Sequence, residues 1–237
     1  SVSGGNDNHK YIVSGNIYDE RGIVKTSDYQ RISLRLNLSN NLTKWLNLRT
    51  NILYTNDDRN IVPEGQNGVL KRALHQNPII HTYNNAGYYS ESHPIAVIER
   101  NHNRSTSDRI DINIDLSARL GKYFNYQFKF SNYTNFFNRY QFNEVEKLEE
   151  NFIMPTDLTK VQRYSVMTNK TEINNRLTFS FNRNKHDINA VVGQTIEMSA
   201  VENLTAERQG ASANTSNLWY LSSAYFGDRA TGAISEW

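Results

Sequence analysis

Four of the six histidines, His75, His81, His93 and His102, fall within one stretch of the chain, and grouped imidazoles are the first place to look for a metal. Their spacings of 6, 12 and 9 residues match no ligand pattern, so these are expected to be ordinary loop histidines, with no metal site. Asp57-Asp58-Arg59-Asn60 has the acidity of a calcium loop but lacks its glycine and its terminal glutamate spacing. Asp111 and Asp115 are a better candidate pair, because both fall on one face of an extended segment. Four residues of strand separate them by about 13 Å, beyond the ~6.5–9.5 Å of even an inverting hydrolase pair. No nucleophile elbow, phosphate loop or zinc-protease motif is present. No catalytic residue is assigned, and an enzyme is not expected. What remains is binding chemistry: Tyr83, Tyr88 and Tyr89 in one connection, Phe136, Phe137 and Tyr140 near a second, and Trp219 and Tyr220 in a third. Aromatic faces with Asn and Arg donors beside them suit stacking on sugar rings, loop packing, or contact with a partner protein.

The elements that must carry these groups are legible from period. From Arg109 to Leu120 the even positions Ile110, Ile112, Ile114, Leu116, Ala118 and Leu120 are apolar, and the odd positions are polar or charged. Twelve residues of strict alternation predict a strand with one face against an apolar phase and one against water. Ile32 to Leu38, Leu46 to Tyr54, Phe124 to Phe130 and Ile173 to Phe181 repeat the pattern, and Tyr11–Tyr18 and Ile188–Ile196 repeat it more weakly. Seven strands follow, with an eighth beginning near Thr231. Short turns near 39–45, 121–122 and 182–186 alternate with long connections at 56–104, 140–170 and 199–230. One end of the sheet is thus trimmed and the other elaborated. Within the first long connection, Gly68 to His75 has helical spacing and stops before Asn77-Pro78.

Composition narrows the class further. The 237 residues are 38% hydrophobic with a mean hydropathy of -0.68, yet include 14 Tyr and 10 Phe. There is no Cys, so neither a disulfide framework nor a thiolate metal site is possible. No segment nears the ~20 apolar residues of a spanning helix, and a net charge of +2 is too small for a general nucleic-acid binder. The 32 asparagines outnumber the 24 acidic residues. The expected fold is all-β, an antiparallel meander of about 7–8 long strands whose length and two unlike faces suit a transmembrane β-barrel. On that reading Arg35, Arg49, Asp111, Asp115, Lys129 and Arg176 face a lumen. Ile110, Ile112, Ile114, Leu116 and Tyr126 face lipid.

The chain also resembles a known family. Ser3-Gly4-Gly5-Asn6, Tyr11-Ile12-Val13-Ser14-Gly15, Glu20-Arg21-Gly22-Ile23-Val24-Lys25 and Ser27-Asp28-Tyr29-Gln30-Arg31 look like the mid-barrel stretch of SusC/RagA-like TonB-dependent outer-membrane transporters. Leu34-Arg35-Leu36-Asn37-Leu38, the Leu42-Thr43-Lys44-Trp45-Leu46 turn, Asn77-Pro78 and His93-Pro94-Ile95-Ala96 extend the likeness. The resemblance implies residues 1–237 are an interior section of such a barrel, with the plug and its TonB-engaging motif outside it. It further implies an outer membrane of a Gram-negative bacterium, a glycan or peptide fragment as ligand, and a SusD-like surface lipoprotein as partner. The TonB complex would be reached through the plug region; no cofactor and no nucleic acid are implied. Two other readings stay open on the residues alone: a soluble β-sandwich that binds polysaccharide, and a small closed barrel serving as a structural protein or adhesin.

Overall fold

The computed structural model describes the chain except residues 66–67, 86, 88–89, 91–92, 145–146, 150–151, 154–158, 185, 212–220, 222–223 and 237. Its body is one antiparallel sheet. The strands are β1 (Val2–Gly5), β2 (His9–Arg21), β3 (Asp28–Asn41), β4 (Leu46–Asn60), β5 (Asn101–Leu120) and β6 (Phe124–Asn143). They continue with β7 (Lys147–Glu149), β8 (Phe152–Ile153), β9 (Lys160–Arg183), β10 (His186–Ala211) and β11 (Ala224–Glu236). Sheet order is β1-β2-β3-β4-β5-β6-β9-β10-β11, and β7 and β8 form a separate two-stranded ribbon. Each strand pairs with its neighbour in sequence apart from that ribbon, which makes the sheet a meander of eight long strands plus the short β1.

Local chemistry fixes the turns. Asn6 Oδ1 accepts from the amides of Asn8 and His9 at 2.9 and 2.8 Å, closing the β1–β2 turn. Thr43 Oγ1 accepts from Leu46 N at 3.1 Å between β3 and β4. Gly121 takes φ of 71° between β5 and β6, a left-handed conformation that a Cβ makes costly. Asn184, the residue type that best tolerates that region after glycine, takes φ of 57° between β9 and β10. All four turns lie at one end of the sheet. At the other end the β2–β3 turn, Gly22 to Ser27, is closed by Gly22 N donating to Ser27 O at 2.7 Å.

The long connection after β4 contains α1 (Val69–His75) and α2 (Pro94–Arg100). α2 starts where Pro94 supplies a pre-set φ and His93 Nδ1 accepts from Ile95 N. Val69, Val97 and Ile98 bury one another and draw in Val24 and Val62, so the connection packs down onto the β2–β3 turn and the end of β4.

Apart from this cluster the fold has little interior. Ile17, Leu34, Val192 and Leu204 are 73, 54, 73 and 55% exposed, all on one face of the sheet. The accessible surface is 16361 Å², whereas a compact monomer of this mass exposes roughly 11,000 Å². A sandwich would cover that face with a second sheet, and among the described residues none packs there. A closed barrel would pair the first strand with the last, but β1 and β11 are the two edges. Both alternative architectures are therefore set aside.

The strands also run further than hydropathy suggests. The long connections shrink to 61–100, 144–159 and 212–223, against the 56–104, 140–170 and 199–230 read from the sequence. Alternation fades wherever both faces are polar, yet the ladder of backbone hydrogen bonds continues there. A prediction follows for the β5–β6 turn. Gly121→Ala meets no atom within 4 Å of the new Cβ, so its cost is backbone strain alone, about 1–2 kcal/mol. Denaturant unfolding in detergent should register that loss, and an unchanged midpoint would contradict the turn geometry.

Candidate functional site

Directly opposed residues of an antiparallel pair share a face, so the registers sort the side chains. Arg49 is opposite Asp115, and Asp115 is opposite Lys129, giving a cation–anion–cation row across β4, β5 and β6. Two residues along, Asn37, Asn51, Asn113 and Ser131 form a second row. Asn51 donates to Asn37, and Ser131 Oγ donates to Asn113 Oδ1 at 2.9 Å. Arg35 is opposite Leu53, which is opposite Asp111, so the expected Arg35 and Asp111 share the face but are held two strands apart. Asp111 pairs with Arg109 of its own strand at 3.4 Å. Arg176 donates to Gln127 across β6 and β9. Arg35, Arg49, Asp111, Asp115, Lys129 and Arg176 thus occupy one face.

Ile110, Ile112, Ile114 and Leu116 occupy the other, in register with Thr134, Asn132, Phe130 and Phe128. Tyr126 lies there too, and its hydroxyl donates to Asn175 Oδ1 at 2.6 Å. Aromatic rings mark both ends of this apolar face. At the short-turn end Phe124 meets Phe179 at 5.1 Å, and Tyr123 meets Phe181 at 5.5 Å. At the long-connection end Tyr54 turns its hydroxyl to Asp108 Oδ1 at 2.7 Å. Beyond Tyr54 this face becomes charged as well: Arg104 Nε donates to Asp58 Oδ1 at 2.8 Å, and its terminal nitrogen engages the other carboxylate oxygen.

Near the long-connection end of the polar face lies a cavity of about 650 Å³ lined by Glu20, Tyr29, Arg31, Asp57, Arg59 and Phe137, among others. Its walls are fixed by hydrogen bonds. Tyr29 Oη donates to Asp57 Oδ1 at 2.5 Å, and Arg31 Nε donates to the same oxygen at 2.6 Å. The Arg31 guanidinium also lies 5.3 Å from the centroid of the Tyr29 ring. Phe137 meets Tyr164 edge-on at 6.1 Å. Sequence reasoning treated Asp57 to Asn60 as a loop and passed over Tyr29 and Arg31. The signal was there: Thr55, Asp57 and Arg59 simply continue the polar series of β4.

The aromatic candidates separate. Phe137 lines the cavity, whereas Phe136 and Tyr140 are one and three residues away and project from the opposite face, where Arg163 stacks 3.9 Å over Tyr140. Grouping Phe136, Phe137 and Tyr140 as one contact set is thus corrected by the pleat. Tyr83 is exposed between α1 and α2. Tyr88, Tyr89, Trp219 and Tyr220 lie outside the described residues. The histidines have separate local roles: His75 contacts Lys71 O, His93 caps α2, and His102 Nε2 lies 3.0 Å from Glu144.

No family model and no curated protein matches the chain. Solved structures do. The RagAB peptide transporter aligns over 99% of this chain with a TM-score of 0.78 and 17% identity. The RagAB peptide importer in its closed-closed and open-open states aligns over 99% with TM-scores of 0.77 and identities of 18 and 16%. This chain spans 28, 28 and 27% of the respective chains. The chain therefore shares its fold with a section of those structures.

The Asp58–Arg104 pair gives a pH-dependent prediction. The Arg104 hydrogen bond holds the Asp58 carboxyl below its ordinary range, against a smaller upward push from burial. A depressed carboxylate stabilises the fold above its unfolded-state pKa and loses that contribution as pH falls through the folded-state value. Asp58→Asn should cost no more than about 1 kcal/mol at pH 7, as expected for a solvent-screened pair. The difference from the parent protein should begin to shrink near about pH 4 and close only below the depressed folded-state value. Denaturant titrations at both pH values read it, and a difference that persists in acid would contradict the assignment.

Proposed function

We propose that this chain is a section of the wall of an outer-membrane β-barrel importer of the SusC/RagA-like, TonB-dependent type. The observation that carries the reading is the single-layer sheet, with its uncovered apolar face ending in aromatic rings on both sides. From the Phe124–Leu120 pair to the Tyr54–Ile110 pair the apolar face spans ten residue steps along β5. Ten residues are ~33 Å of strand, or ~25 Å of height at the usual barrel tilt, which is the height of an outer-membrane apolar band. On this reading the polar face lines a lumen, and Ile110, Ile112, Ile114, Leu116 and Tyr126 meet lipid.

The chain carries passage and binding rather than catalysis. Arg49, Asp115 and Lys129, with Arg35, Asp111 and Arg176, form a wet, charge-balanced wall. Phe137 and the Tyr29–Arg31–Asp57 group offer a ligand a ring face and fixed donors at the long-connection mouth. Its cargo is a glycan or peptide fragment; the likeness to a peptide importer supports the peptide. A SusD-like surface lipoprotein meets the long connections, where Tyr83, Tyr88, Tyr89, Trp219 and Tyr220 fall. Energy comes from the TonB complex, engaged by a plug region in another part of the polypeptide. Strands β9 and β10, at 24 and 26 residues, exceed the ~9–11 that cross a bilayer, so the wall continues well past the membrane on the long-connection side.

Two outcomes test this. Cells bearing the full-length protein should accumulate labelled oligopeptide or oligosaccharide only with an energised inner membrane, and deletion should abolish uptake; uptake without energisation would contradict TonB dependence. Separately, Ile114→Lys should destabilise the protein in bilayers by about 2–4 kcal/mol, the cost of a lipid-facing cation near the midplane. Asn113→Lys, on the other face, should cost only about 1 kcal/mol, the loss of the hydrogen bond it accepts from Ser131. Equal costs would count against the assignment of faces.

A further inference from the structure

Glu172 of β9 stands directly opposite Glu197 of β10. Like charges at directly opposed positions are destabilising, and neither carboxylate has a hydrogen-bond or ion-pair partner among the described residues. Both line a cavity of about 410 Å³ on the polar face, together with Asp111, Tyr133, Lys170 and Ser199. Ser199 supplies a second, independent anomaly. It is only 6% exposed, and its Oγ is buried with no partner, although buried hydroxyls are almost always satisfied.

The surrounding charges do not resolve the conflict. Arg109 is engaged with Asp111 at 3.4 Å. Lys170, opposite Ser199, and Lys129, opposite Asn174, each stand two residue pairs along from the glutamates on the same face, and among the described residues neither forms an ion pair with them. Two opposed carboxylates without a direct partner and one buried hydroxyl are left over. Among the described residues no group of three acidic or imidazole side chains converges closely enough for a metal ion. The complement is a cation that spreads several N–H donors over a few ångströms and fills the volume of a side chain. A guanidinium has that shape, with donors in a fixed fork suited to carboxylates.

We propose that the Glu172–Glu197 pair, with Ser199, is a seat for a guanidinium group in the lumen. The proposal rests on the polar face being the lumenal wall. The group comes either from an arginine of the transported molecule or from an arginine of another segment of the same polypeptide lodged in the barrel.

The test uses purified full-length protein in detergent, with thermal unfolding as the readout and l-argininamide as the probe. If the cargo supplies the guanidinium, argininamide raises the unfolding temperature. The isosteric double variant Glu172→Gln/Glu197→Gln weakens that response at least tenfold in apparent affinity, and Ser199→Ala weakens it less. If a segment of the same polypeptide supplies it, argininamide has no effect, and the double variant unfolds several degrees lower because it has lost an internal partner. If nothing cationic sits there, removing two opposed charges relieves repulsion. The double variant then unfolds at the same temperature or higher and argininamide is inert, which overturns the proposal. The readout does not involve uptake. Loss of transport with the thermal responses intact would defeat the importer reading and leave the site standing.

Discussion

A one-residue slip in any ladder between β2 and β10 would carry every side chain of one strand to the opposite face. Arg49 would then lie opposite Ile114 or Leu116, and Phe130 opposite Asp115 or Asn113. In the main sheet the registers from β2 through β10 run without a shift, and its one irregularity among the described residues is in the β10–β11 pair, between Glu207 and Gln209. This unbroken pairing does the work that a hydrophobic core does elsewhere. Strands β3, β4, β5 and β6 are paired on both sides, so their backbone groups are satisfied laterally and their two faces are left to side chains of unlike character. The rows of charge, the amide ladder and the aromatic ends all depend on that constancy.

Because the sheet is a single layer, its polar residues stabilise by pairing across strands rather than by burial. Asn37 and Asn51, Arg31 and Asp57, and Arg104 and Asp58 are each joined across adjacent strands. Short side chains with both donors and acceptors suit this arrangement, since an asparagine can give to one neighbour and accept from the other. The abundance of asparagine has a structural home there. Asn132, Thr134, Asn169 and Thr171 show the same economy on the apolar face, where they close a hydrogen-bonded set among themselves at 2.9 to 3.3 Å. A polar group that satisfies its neighbours loses little on leaving water.

The legible part of this protein is the part where one face is apolar. Arg109 to Leu120 could be read to the residue, because each even position is hydrophobic and each odd one polar. Asp57 to Asn60 could not, because past Tyr54 both faces are polar and period two disappears from hydropathy while persisting in the backbone. Short β1 was missed for a related reason: Val2 to Gly5 is too brief and too glycine-rich to show a period. The split of Phe136 from Phe137 needed only the pleat, but adjacent aromatics invite grouping. The Glu172–Glu197 conflict was beyond reach, since it requires the β9–β10 register, and two glutamates 25 positions apart carry no mutual signal in sequence.

The central claim is that one face of this sheet meets lipid and the other water. Nitroxide labels placed singly from position 109 to 120 of the full-length protein in bilayers would test it most directly. Even positions should collide with lipid-dissolved oxygen and odd positions with a water-soluble nickel chelate, in strict alternation along β5. Uniform access of the chelate to both sets would contradict a transmembrane wall.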